Sequence, residues 1–351
     1  MGWFRRSGAE KAAPVEKPAS VPADGSASDA DTSLLEDVAP REKPSALADL
    51  FLVMEEHLTE IELEDLSKIV AAIPRPPPLV DRLTRGLDDP EELREAVLSS
   101  PSLTADVLRV VNSAAFALRA PISSIEHAVN YLGTTMVKGL VVQSAIAQVM
   151  SFETDVQQSA YMRMWRSSYV ASATAQAFAE TLNMEQPSVM ATRALLANVG
   201  DLALIFARPE LSALYALHST LLTRVEGQQE AIMANSALLS SLLAREWQLP
   251  EDLFTALRYS VTPLTWHVDA NERTEAEQRE DVLLYLACRV GDAVAYTGLK
   301  EIGEFDALDE ENLDLYLLPD YLRRLDLGEI LSTLRDAKKA RRIQHTASSF
   351  S

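Results

Sequence analysis

Residues 98–133 read LSSPSLTADVLRVVNSAAFALRAPISSIEHAVNYLG, and the punctuation of this stretch decides the fold. Ser100 followed by Pro101 predicts a helix start. A Ser hydroxyl accepts from the amides of the first turn, and Pro, with no amide hydrogen to leave unpaired, suits the first helical position. The helix so opened puts Leu103, Val107, Val110, Val111 and Ala114 on one face, the spacing of a helix laid against a core. A turn over 121–124 caps a second helix carrying Ile125, Val129 and Leu132, and Gly133 supplies its stop.

The same grammar extends outward. Asp88, Asp89 and Pro90 form a turn into a helix through Ser99, and PRPPPLV at 74–80 must be extended, because Pro restricts both itself and its predecessor. A long helix is predicted over 157–182, with Met162, Trp165, Tyr169 and Ala173 on one stripe. Small residues crowd its second half (VASATAQAFAE), which lets neighbouring helices approach closely. Helices follow at 193–196 and, past a break at Gly200, at 202–206. Others are predicted over 236–247, 251–260 and 282–296, the last preceded by a polar loop from Val268. No segment sustains strand alternation, so the fold class is all-α.

Composition divides the chain. Residues 1–44 are built largely from Ala, Pro, Ser, Asp, Glu and Lys, too little apolar surface to offset chain entropy, and are expected to be a disordered tail. At its start Trp3, Phe4, Arg5 and Arg6 make a small aromatic and basic patch: a docking motif, a membrane-surface contact, or an accident of the chain start. Residues 45–72 read as a helical extension whose stripe of Leu47, Phe51, Met54 and Leu58 packs either on the main domain or on a second subunit, a homodimer. The main domain spans 73–267. Residues 268–351 form a C-terminal helical extension, and its basic run over 338–342, KKARR, reads as a solvated helix end.

A net charge of −20 speaks against a nucleic-acid surface, which needs clustered Lys and Arg to displace counterions. It suits solvation, or an acidic face for a basic partner. The single cysteine, Cys288, lies in the apolar run VLLYLACRVG and reads as a small core residue. The first residues lack the apolar stretch of a secretory signal, and no transmembrane segment is predicted. A cytoplasmic location is expected.

The 98–133 stretch resembles the HDOD family, the HD-related output domain of bacterial signalling proteins, in its Pro-started helix, its Asn-Ser-Ala segment with Phe116 shortly after, and its Ile-Ser-Ser-Ile turn into a helix ending Leu-Gly. Trp165-Arg166, LLANVG at 195–200 and AREWQLPEDLFTALRYS at 244–260 extend the likeness. The resemblance implies a helical bundle packed on an HD-like subdomain. In HD hydrolases adjacent His and Asp residues grip a metal that activates water. Here the resemblance puts Ala197 and Asn198 at that pair, Ser167 where a His follows Trp-Arg, Ser236 at another His, and Ser260 and Val261 at two more. The last acidic ligand falls near Cys288 or Asp292. Ala cannot ligate, and neutral groups poorly offset a divalent charge.

These six positions are therefore expected to be degenerate, either a polar pocket remnant or small residues filling a helix junction. No metal or other cofactor is expected. The five histidines lie on separate elements, none spaced as a ligand pair, and no phosphate loop or nucleophile elbow is present. Asn112, Ser113 and Phe116 are candidates either for a structural latch or for contact with a partner or ligand. The expected function is non-catalytic: a regulator that binds a protein of a signalling or motility pathway. The alternatives are a sensor of a small ligand, such as a nucleotide second messenger, in the vacated pocket, and, remotely, a phosphohydrolase with unusual ligands.

Overall fold

Residues 43–76, 79–84, 89–112, 121–148 and 150–348 are described by a computed structural model of the chain. The Trp3, Phe4, Arg5 and Arg6 patch, the rest of the expected tail up to residue 42, and Ser113 and Phe116 lie outside these residues. No strand occurs among the described residues, and the class is all-α.

The first ordered segment departs from the expected single stripe. A short helix, α1 (Ser45–Ala48), buries Leu47, and the chain then runs extended to a 3-10 turn at Glu55–His57. Leu52 and Met54 are buried while Phe51 is 62% exposed. Side-chain amides from elsewhere hold this backbone. Val53 N donates to Gln229 Oε1 at 2.8 Å, Gln229 Nε2 donates to the Phe51 carbonyl at 2.8 Å, and Asn235 Nδ2 donates to the Val53 carbonyl at 2.8 Å. A helix over 45–58 would have withdrawn those backbone groups into its own ladder. Leu47, Leu52 and Met54 pack on the chain's own core, one of the two expected packings.

Next comes α2 (Glu60–Ala72), opened by a reciprocal Thr59–Glu62 capping box. After residues 74–76, which belong to no helix, the chain enters α3 (Leu79–Thr84), so Leu79 and Val80 are helical and not extended as expected. Within the stretch that decided the reading, and just before it, the expected caps are kept where residues are described. Asp89 caps α4 (Pro90–Leu98), Ser100 caps α5 (Pro101–Val111), and Ser124 caps α6 (Ile125–Leu132). Gly133 takes φ 85°, and α7 (Thr134–Ala147) begins directly after it.

The long helix is α8 (Asp155–Thr181). Its burial is wider than the expected stripe. Trp165 and Tyr169 are buried but Met162 is exposed, while other faces of α8 are covered by the elements packed on it. Two neighbours lie along it: α9 (Pro187–Leu196), which is followed by α10 (Val199–Ala207), and, after α11 (Leu221–Ile232), α12 (Ser236–Glu246) and α13 (Glu251–Tyr259), the helix α14 (Glu275–Asp292). The break expected at Gly200 falls instead at Ala197-Asn198. Gly200 is inside α10, where a Cβ would lie 2.1 Å from the Ser236 carbonyl oxygen. Pro187–Ala207 is long and apolar enough to cross a membrane, yet 78% of its most apolar window is buried inside the protein.

The polar stretch from Val268 is only partly a loop. The helix starts at Glu275, ahead of the expected Val282, because Thr274 and Glu277 form a capping box. One buried carboxylate on α14 titrates unusually. Asp281 receives Arg273 Nε at 2.7 Å and Nη2 at 3.3 Å. Burial nevertheless pushes it up to about 7, against the pull of Arg273. Between the ordinary carboxylate pKa near 4 and about 7, the native protein keeps a proton that the unfolded chain has released. Stability therefore declines as pH rises through that window and is level above it. The stability margin of the protein over Asp281→Asn should shrink from about pH 4.5 to about pH 7 in denaturant titrations; a margin that grows would contradict the assignment.

Beyond a π-helical turn at Ala293–Thr297, the chain closes with α15 (Leu318–Arg324), α16 (Glu329–Arg335) and α17 (Ala337–Ser348). The basic run lies in a helix, with Lys338, Arg341 and Arg342 exposed as expected, but that helix is also docked. Arg342 Nη2 meets Glu180 at 2.7 Å, Lys339 Nζ donates to Thr181 Oγ1 at 2.7 Å, and Ile343 is fully buried against the core. An apolar residue directly after the basic run turns one face of α17 onto α8.

Candidate functional site

The six substituted positions come from four parts of the chain, and the fold brings them together. Ala197 and Asn198 sit at the α9–α10 break, Ser236 opens α12, Ser260 and Val261 follow α13, and Ser167 lies on α8. The first five line one small space with Asp201, Leu221, Arg224, Ala237, Cys288 and Arg289. Ser167 stands beside it, fully buried, its hydroxyl donating to Asp292 Oδ1 at 2.7 Å. The space has a volume of about 20 Å³, room for a water molecule. It is far below the few hundred Å³ of a small-molecule site. The alternative of a nucleotide-sized pocket at these positions finds no such room here, because side chains fill the space.

Most of the local polar groups close helix ends. Ser240 Oγ donates to the Ala197 carbonyl at 2.9 Å and accepts from Gly200 N at 2.8 Å, binding α12 to the α9–α10 break. Asn198 Nδ2 donates to Ser168 Oγ at 3.1 Å, and Ser260 Oγ donates to the Leu257 carbonyl at 2.7 Å. Of the two readings of the substituted positions, junction filling accounts for these bonds.

The charged groups carry the electrostatics. Asp292, at the end of α14, is paired with Arg224 Nη2 and with Arg289 Nη2, the latter at 3.1 Å. Burial pushes its carboxyl up, but Arg224, Arg289 and Ser167 outweigh that and hold it below the usual range. Asp201 on α10 accepts from Tyr215 Oη at 2.8 Å and Gln228 Nε2 at 3.1 Å. Its pKa is raised, chiefly by burial, with Arg224 and Tyr215 pulling the other way. Cys288 is pushed up to about 12 by burial and stays a neutral thiol.

A divalent cation does not fit this donor set. The carboxylate of Asp292 is already taken by two guanidinium groups and a hydroxyl, and the neutral thiol offers no thiolate. A guanidinium about 4 Å away repels each unit of cationic charge by about 4 kcal/mol at an effective dielectric of about 20. Among the described residues no three His, Cys, Asp or Glu side chains are grouped to share a metal ion.

Sequence reasoning did not single out Asp201, Arg224 or Arg289. A signal existed for Arg224, which stands among Leu221, Leu222, Val225 and Gln228, all buried positions of one helix. A lone Arg on a buried face needs a buried acid. Asn112 presents a different geometry. Its Oδ1 accepts from Ile122 N at 2.7 Å, and its Nδ2 donates to the carbonyls of Ile122 at 2.7 Å and Leu108 at 2.8 Å. The side chain thus ties the end of α5 to the turn before α6. Asn112→Ala should cost about 1–2 kcal/mol in thermal or denaturant unfolding and leave partner capture by the folded protein unchanged; a loss of capture alone would make it a contact residue.

The sequence matches the HDOD domain family over residues 73–263, more than half of the chain. An uncharacterized protein of Treponema pallidum (strain Nichols) is 22% identical over 200 residues, which are 53% of this chain; the match spans 37% of that relative's length. A presumptive phosphohydrolase of Shewanella amazonensis SB2B superposes with a TM-score of 0.51 at 18% identity, covering 82% of this chain and 98% of that one. An HDOD domain protein with unknown function from Geobacter sulfurreducens gives a TM-score of 0.50 at 18% identity, covering 79% and 98%. At these identities the likeness to solved structures is one of fold.

Proposed function

This chain belongs to the HDOD domain family, and from that premise we propose that it is a non-catalytic regulatory protein that works by binding another protein in a bacterial signalling or motility pathway. One observation carries the reading. Five of the six positions that the resemblance aligns with HD metal ligands line a space of only about 20 Å³, and Arg224, Arg289, Asp201 and Asp292 supply and balance the charge in and beside it. Such a site can neither admit a phosphoester nor activate water on a metal. What the domain offers instead is its outer helical surface, between the α4–α7 group and the HD-like helices, in the cytoplasm.

The volume also argues against a nucleotide messenger in the same space, since such a ligand would have to displace buried ion pairs. The reading is tested by affinity capture from a native extract at physiological salt, alongside a phosphodiesterase assay with added manganese, iron or zinc. We expect a reproducible protein partner and no hydrolysis. Failure to recover any partner would remove the binding half of the reading, and turnover proportional to protein concentration would remove the non-catalytic half.

A further inference from the structure

Arg224 is the most enclosed cation of the site, 5% exposed. Its Nη2 pairs with Asp292, its Nη1 lies 3.5 Å from the Ser219 carbonyl oxygen, and its guanidinium carbon sits 4.6 Å from the centre of the Tyr296 ring. Tyr296 comes from the π-helical turn Ala293–Thr297 that follows Asp292. Such a turn widens the helix by one residue and so redirects the side chains after it. Carboxylate, carbonyl and aromatic face together make a seat matched to a planar cation, since a guanidinium bonds acids through its edge and stacks through its face. A metal ion would use the carboxylate but gain little from the ring.

We infer that Arg224 is the resident cation of this site, its guanidinium standing where a related hydrolase would carry a metal, and that truncating it opens a seat selective for a free guanidinium ion. The inference rests on the non-catalytic reading of the same site but asks a different question of it. Loss of a protein partner would leave the seat intact, and failure of the seat would leave partner capture intact.

The test is rescue of Arg224→Ala by methylguanidinium. At millimolar concentration, against an equal ionic strength of sodium chloride, the ion should raise the melting temperature of the variant saturably, as mass action requires of a ligand bound only by the native state. It should not raise that of the unaltered protein, whose seat is filled, or of Arg224→Ala/Asp292→Asn, whose seat has lost its acid. Manganese and zinc should give no comparable rise. Should Arg224→Ala fail to fold unaided, its refolding yield with and without methylguanidinium reads the same quantity. No saturable effect of methylguanidinium, or a larger one from either metal, overturns the inference.

Discussion

Replacing Arg224 by Met is expected to lower the unfolding free energy by about 3–5 kcal/mol, the cost of removing one partner from a buried ion pair. Arg224 and Asp292 are both almost wholly enclosed, so the carboxylate, left with Arg289 and Ser167, cannot replace the lost partner with full hydration. The cation's contact with the Tyr296 ring is lost in the same step. The double variant Arg224→Met/Asp292→Asn should lose much less than the sum of its two single changes, because it removes both charges together. Equilibrium unfolding in urea would measure all three variants. Additive losses would mean that the two groups are not coupled, and the electrostatic account of the site would fail with them.

The other large effect is steric. Gly291→Ala should destabilise by about 3 kcal/mol or more, the upper range for overpacking. A Cβ there would lie 2.3 Å from the Ser167 carbonyl oxygen and 3.0 Å from its carbon, so α14 and α8 would have to part. Gly200→Ala should behave alike, since its Cβ would meet the Ser236 carbonyl oxygen at 2.1 Å and Ser240 N at 2.6 Å. In both cases the obstacle is backbone, which has no alternative rotamer to adopt. Gly303→Ala is the control. Its Cβ would meet nothing closer than the Leu334 carbonyl oxygen at 3.7 Å, and its melting temperature should stay close to that of the unaltered protein. Helix propensity and chain entropy both favour Ala over Gly, so equal losses at all three positions would mean that close approach at Gly291 and Gly200 is not the cause.

The chain's own residues determined a good deal. Ser100-Pro101, Asp89-Pro90, Ser124 and Gly133 set helix ends that the structure keeps, because a cap is satisfied within a few residues and needs no distant partner. The family likeness located six positions that do converge. The small residues in the second half of α8 announced close helix crossings, and Ala171, Ser172, Ala175, Ala177 and Ala179 are buried there.

Tertiary structure alone decided the rest. The segment after Ser45 has a helical pattern but is drawn out straight by Gln229 and Asn235, partners far away in sequence, and no local pattern encodes an acceptor so remote. Whether Asp292 or Cys288 stands in for the acid of the old metal place was undecidable by spacing, because they lie one turn apart on α14. In the fold Cys288 lines the space itself, while Asp292 beside it pairs with Arg224 from α11. The size of this space and the sign of the charge filling it arise only when α8, α10, α11, α12 and α14 meet, since burial is a property of the assembled core and not of any one segment of the chain.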